Sequence, residues 1–228
     1  QALLNYLALL GWAPSQNGQE ILTLTELIAQ FDLGRVHRSP ATFDPEKLNW
    51  VNRSHLKRLD RSHLVKLAIP YLRKQGWLPD SLSTDSIDWI RDVVEAVFNH
   101  LFKMEDLIQE TSVVFDFRPE EDLSRPEAQK ILSRESTKNV IEEFYRGICR
   151  QTNLDLPTYK KILSDVKRAT GQTGRTLFQP VRLAMTARIS GPELDKLIPI
   201  LEKGKELNLP VQVQGVEERV KAVLNQLQ

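Results

Sequence analysis

At 228 residues, with 41% hydrophobic and 27% charged side chains, the chain has the make-up of a water-soluble globular protein of one large domain or two to three small ones, and it lacks the run of about 18 apolar residues that a membrane-spanning helix needs. One cysteine, Cys149, and four scattered histidines exclude an internal disulfide, a multi-cysteine zinc site and a His-rich metal cluster. The net charge of +1 conceals a strong asymmetry: residues 84–144 carry 15 acidic and 7 basic side chains, and residues 146–188 carry 9 basic and 2 acidic ones.

In chain order the pattern is almost wholly helical. Residues 2–10 (ALLNYLALL) are apolar nearly all round, which predicts a buried helix. Thr23 and Glu26 have capping-box spacing and open a helix through Phe31. Residues 33–43 read as a loop. Asp44-Pro45 is a start signal, because the carboxylate accepts unpaired amides and proline suits the first helical position; the helix turns Leu48, Val51 and Leu56 to the core. Ser62 is the expected cap of the next helix, with Leu64, Leu67 and Ala68 inside, Pro70 interrupting or kinking it and Gly76 ending it.

Residues 76–84 (GWLPDSLST) are turn-rich. Ile87, Ile90, Val94, Val97, Leu101, Met104 and Ile108 then recur at helical spacing, as one long helix or two broken near Asn99-His100. A loop is expected at 117–126, helices at 127–150 and 157–170, the latter ended by Gly171, a turn at 171–176, and a helix carrying Leu183 and Met185. The loop Ile189-Ser190-Gly191-Pro192 leads to a helix with Pro192 at its first position. A last helix places Val220, Val223 and Leu227 on one face, and only Val211–Val213 hints at a strand.

Catalytic signatures are missing. There is no Gly-x-Gly-x-x-Gly, His-Glu-x-x-His or Gly-x-Ser-x-Gly, and Gly204-Lys205 has Pro199 where a phosphate loop needs glycine. The carboxylate neighbours Glu142-Glu143 and Asp92/Glu95 are of a kind that helical faces make by chance. No catalytic residue is therefore expected in this chain. Cys149 reads as a buried structural thiol, and the four tryptophans as core residues. The basic stretch of 146–188 can hold a phosphate backbone, or it can be a solvated basic face turned to the acidic segment.

Three stretches carry a resemblance. Ala2-Leu3-Leu4-Asn5-Tyr6-Leu7-Ala8-Leu9-Leu10-Gly11-Trp12 is similar to the stretch that follows the lysine-rich loop of bacterial glutamyl-tRNA synthetases. Ala41-Thr42-Phe43-Asp44-Pro45-Glu46-Lys47-Leu48-Asn49-Trp50-Val51-Asn52 resembles the next block of that family. Leu177-Phe178-Gln179-Pro180-Val181-Arg182-Leu183-Ala184-Met185-Thr186, followed by Gly191-Pro192-Glu193-Leu194, resembles its C-terminal signature.

The resemblance implies the C-terminal half of a class I synthetase: mainly α, with a helical stem-contact region at 1–68 and an all-helical anticodon-binding domain in two parts, 69–120 and 121–228. Beginning at Gln1 within a helix fits a longer parent. The His-Ile-Gly-His-type and Lys-x-Ser-Lys motifs of the family are not in this sequence, so no cofactor is expected here; ATP and Mg2+ would serve the intact enzyme, which joins glutamate to tRNA. The implied partner is tRNA(Glu), with tRNA(Gln) as a second candidate, for a cytoplasmic monomer.

Carried over position by position, the implied tRNA-binding residues are Arg182 of the Pro-x-Arg block, Gly191, Pro192 and Leu194 of the base-contacting loop, and His100, which stands where some members carry an arginine that reads the last anticodon base. Imidazole lacks that residue's charged bidentate fork. Leu194 would pack on a splayed base, and Arg175 and Arg188 complete the set from the basic stretch. The reading from another class is a non-catalytic helical interaction scaffold with residues 84–144 as its binding face.

Overall fold

The computed structural model describes residues 1–14, 18–37 and 40–227. Thirteen α-helices and two 3-10 turns make up the described chain, which has no strand beyond an isolated antiparallel bridge between Trp12 and Val36. The protein is mainly α. The segment around Val211–Val213 runs without regular structure, so the hint of a strand there is not realised: Val213 is buried singly and no second segment pairs with it. No helix among the described residues is long and apolar enough to cross a membrane.

The first helices are α1 (Ala2–Gly11), α2 (Leu24–Gln30) and α3 (Pro45–Arg58). Their caps follow the sequence. Thr23 and Glu26 form the capping box, and the Asp44 carboxylate accepts from the amides of Glu46 and Lys47. The expected burial of α1 is not found: it packs chiefly on α2 and α3, so Asn5 and Tyr6 are buried while Leu3, Leu4 and Leu7 stay exposed. Part of the expected 33–43 loop, at Arg38 and Ser39, lies outside the described residues; Leu33–Arg35 forms a 3-10 turn.

Helix α4 (Arg61–Lys74) is capped by Asp60, which accepts from the His63 amide; Ser62 only donates its hydroxyl to that carboxylate. Pro70 does not interrupt it, and lies on an exposed position. Leu67 is likewise exposed rather than inside. The helical pattern of 85–111 resolves into α5 (Thr84–Val97), a 3-10 turn at Phe98–His100, and α6 (Asp106–Phe115). The expected 117–126 loop contains α7 (Pro119–Asp122), and the expected helix at 127–150 is two: α8 (Pro126–Leu132) and α9 (Glu135–Cys149).

Next come α10 (Leu156–Thr170), ended by Gly171 with φ 68, then α11 (Arg175–Thr186), α12 (Leu194–Gly204) and α13 (Val216–Asn225). Pro192 is not the first residue of α12, since Glu193 is its N-cap.

One apolar core runs from Leu56 to Val223. In its first half α4, α6 and α12 gather round α5, and the Trp89 indole donates to the Ile200 carbonyl at 2.8 Å. In its second half α9 is the axis against which α8, α10, α11 and α13 pack. Two smaller clusters, centred on Tyr6 and on Trp12, hold the N-terminal helices. Trp12, Trp77 and Trp89 are core residues as expected, whereas Trp50 is exposed. Cys149 is exposed too, because it stands one residue past the α9 stripe of Val140, Ile141, Phe144 and Ile148, about 100° round the helix.

Candidate nucleic-acid interface

The turn that leaves α11 is built by local hydrogen bonding. Ala187 takes a left-handed conformation with φ 54, which a residue with a Cβ adopts at a cost of about 1–2 kcal/mol. The Thr186 hydroxyl accepts from the Arg188 amide at 3.1 Å and lies 2.8 Å from the Arg182 carbonyl, to which it donates. Gly191, at φ 137, makes the next reversal. Residues 187–192 thus leave the helix, turn twice and enter α12 through Pro192 and Glu193.

This loop is held from both sides. Arg182, half-buried on α11, donates from Nη1 to the Pro192 carbonyl at 2.9 Å, and burial lowers the pKa of its guanidinium. Arg188 reaches the other way. Its Nη2 donates to Ser112 Oγ at 3.0 Å on α6, and its Nε lies 3.7 Å from the buried carboxylate of Asp122, which Arg125 also engages at 2.7 Å.

Two clefts flank the link from α11 to α12: residues 187–192 line the first, and residues 193–195 line the second. The first, of about 530 Å3, is lined by His100, Glu110, Arg188, Gly191 and Pro192 among others. The second, of about 540 Å3, lies between α10 and α11 and is lined by Tyr159, Lys160, Phe178, Arg182 and Leu194. Leu194 is only 8% exposed and belongs to the core, so it offers a floor rather than a projecting side chain. Phe178 is the accessible ring of that cleft, 49% exposed. Burial raises the Tyr159 hydroxyl pKa well above its ordinary value, so it stays a neutral donor at working pH.

Of the seven residues singled out from the sequence, the structure brings His100, Arg188, Gly191 and Pro192 to the first cleft, and Arg182 and Leu194 to the second. Arg175 joins neither. It begins α11, roughly 16 Å along the axis from Thr186.

The sequence reading passed over Arg219. This side chain is 0% exposed and gives its guanidinium to backbone carbonyls: Val113 at 2.7 Å, Val114 at 2.8 Å, Gln214 at 2.9 Å and Met185 at 3.4 Å. Val113 and Val114 end α6 and Met185 is near the end of α11, so one cation sits where the negative poles of two helices converge. Its face also covers the Phe117 ring, 4.6 Å from the centroid. Desolvation pulls its pKa down to about 9, and the nearby Arg188 adds to this. A signal was available: Arg219 stands in the Val216, Val220, Val223 stripe, a charge on the apolar face of its helix.

A family model described as anticodon binding domain matches residues 63–208. The chain belongs to the anticodon-binding domain family. Among curated relatives of this anticodon-binding chain, it is 34% identical over 207 residues to a glutamate–tRNA ligase of Desulforamulus reducens, covering 91% of this chain and 42% of that protein. It is 36% identical over 225 residues to a glutamate–tRNA ligase of Halalkalibacterium halodurans, covering 99% and 44%.

Two solved structures share the fold of this anticodon-binding chain. A glutamate tRNA ligase from Elizabethkingia meningosepticum, crystallised in complex with its amino acid, superposes with a TM-score of 0.76 at 20% identity, covering 100% of this chain and 41% of that one. A glutamate-tRNA synthetase from Elizabethkingia anophelis gives 0.72 at 18%, covering 98% and 40%. The chain thus spans about two-fifths of the length of these relatives.

Proposed function

We propose that this chain is the anticodon-recognising portion of a glutamate–tRNA ligase, and that it reads unstacked anticodon bases of tRNA(Glu) in the two clefts on either side of the 187–194 loop. The observation that carries this reading is the Arg182 bond to the Pro192 carbonyl, which ties a residue of the second cleft to a residue of the first before any ligand arrives. RNA recognition of single-stranded bases needs such a preformed surface, with stacking rings and polar groups at base edges. Phe178 supplies a ring, and His100 and Tyr159 supply polar edges. Leu194 serves as the apolar floor beneath a base. The α12 start has no side-chain cap, which leaves first-turn amides for a base edge or a phosphate.

The remainder of the ligase would supply ATP and Mg2+ chemistry and ligate glutamate, in the cytoplasm. His100 in place of an arginine fits a parent that also accepts tRNA(Gln). The test is a filter-binding titration with a tRNA(Glu) transcript and the same transcript carrying a different anticodon. The expected result is at least about tenfold preference for the first, as one lost polar contact in a dry site is worth about 1.4 kcal/mol. Equal affinities would overturn anticodon reading.

A further inference from the structure

Seven of the nine cations of residues 146–188 fall into three places. Arg188 lines the first cleft, Lys160 and Arg182 line the second, and Arg146, Arg150, Lys161 and Arg168 line a separate groove of about 480 Å3 between α9 and α10. We propose that this third groove is a track for the phosphodiester backbone of RNA, independent of base sequence and distinct from the two clefts.

Geometry separates it from the clefts. At 100° per residue, Lys161, Asp165 and Arg168 cluster on one side of α10, about 160° from Tyr159 and Leu163, which face the second cleft. A helix about 10 Å thick stands between them. The groove therefore meets a part of the RNA other than the bases in the clefts.

Charge and shape point to phosphate. Arg146 pairs with the half-buried Glu143 and Arg168 with the exposed Asp165, each within its own helix; both arginines are themselves exposed, and such pairs contribute little and yield readily to a phosphate. Arg150 and Lys161 make no ion pair or side-chain hydrogen bond among the described residues, so their charge is unspent. The three arginines offer forks that match phosphate oxygens. From Lys161 to Arg168 the α10 axis advances about 10 Å, the length over which one strand presents about three phosphates. The floor is firm: Gly147 lets α9 approach so closely that a Cβ there would lie 2.6 Å from Ile162 Cγ2. Apart from Glu143 and Asp165 the lining has no acid to repel a polyanion.

The proposal rests on RNA being the partner, and one set of titrations separates the two ideas. The probes are the tRNA(Glu) transcript, its anticodon-swapped version and a 12-nucleotide oligouridylate, each titrated from 50 to 200 mM salt. The variants are Arg150→Gln with Lys161→Gln, and the charge-preserving pair Arg150→Lys with Lys161→Arg; both positions are exposed, so the fold is kept. The Gln pair should weaken all three RNAs by about tenfold and lower the slope of log affinity against log salt by about 1.4–1.8, two contacts' worth, while the charge-preserving pair restores both. Unchanged affinity and slope in the Gln pair, with the wild type binding, overturn the groove alone. Equal binding of the two tRNAs with the expected slope change overturns anticodon reading and leaves the groove standing. No binding of any RNA by the wild type overturns both.

Discussion

Arg182 and Pro192 are ten residues apart and joined by one hydrogen bond of 2.9 Å, from the guanidinium of a helix to the carbonyl of the loop that follows it. Together with the Thr186 and Arg188 contacts, this bond holds in place a loop with two positive-φ turns. Arg182 lines the second cleft and braces Pro192 of the first, so replacing it with alanine should lower tRNA affinity about tenfold, with the salt slope changed by no more than one contact. Lysine keeps the charge without the fork and should recover only part of the loss. Binding titrations beside a thermal melt check this; an unchanged affinity removes Arg182 from the interface.

Arg219 should be costly to remove, because it is fully buried and donates to four backbone carbonyls. Arg219→Met leaves the Val113 and Val114 carbonyls buried and unpaired, and the expected loss is about 3–5 kcal/mol in urea unfolding. Arg219→Lys should lose less, since one ammonium still reaches some of the carbonyls. A loss under about 1 kcal/mol for the methionine variant would mean that α6 and α11 do not depend on this cation.

Gly147 and Ile162 should prove coupled. A methyl at 147 would meet Ile162 Cγ2 at 2.6 Å, so Gly147→Ala is expected to destabilise by about 1–2 kcal/mol even though alanine favours the helix. Ile162→Ala, which removes the Cγ2 that the methyl would strike, should cost about 2–5 kcal/mol alone. Together they should cost less than the sum, because the second makes room for the first. Additive values in a double-mutant cycle would rule the steric conflict out.

Stability should fall on mild acidification through His55. Its Nε2 lies 3.0 Å from Asn5 Oδ1, and burial, with the Arg58 charge adding, holds the imidazole below its ordinary pKa of 6.5. The unfolded chain therefore takes up the proton first as pH drops, so the His55 share of stability is present above pH 6.5 and is lost as pH falls below it. His55→Gln should flatten that part of the profile. The readout is urea unfolding followed by far-UV circular dichroism across that pH range.

Local signals were legible because local physics fixes them. Thr23 with Glu26, Asp44 with Pro45, and Gly171 mark helix ends by satisfying or releasing backbone groups within a few residues, and each is found in place. Signals that depend on what packs nearby were misleading. The all-round apolar α1 keeps Leu3, Leu4 and Leu7 exposed because it packs chiefly on α2 and α3. By contrast, the break near Asn99-His100, one of the two alternatives for 85–111, is found at Phe98–His100, with both segments feeding the same core. Ser62 lost the cap to Asp60, a choice set by which oxygen meets the His63 amide.

The sequence by itself determined an all-helical chain, its helix caps and a concentration of positive charge in 146–188, because periodicity, capping and composition act over a few turns of chain. Only the tertiary structure decided that Arg182 and Arg188 hold one loop from opposite sides, that the basic residues divide among two clefts and a groove, and that Arg219 lies buried among carbonyls from three segments. Those outcomes depend on pairs up to 106 residues apart, and on how closely two helices can approach where one has no side chain. No short-range pattern encodes such distances.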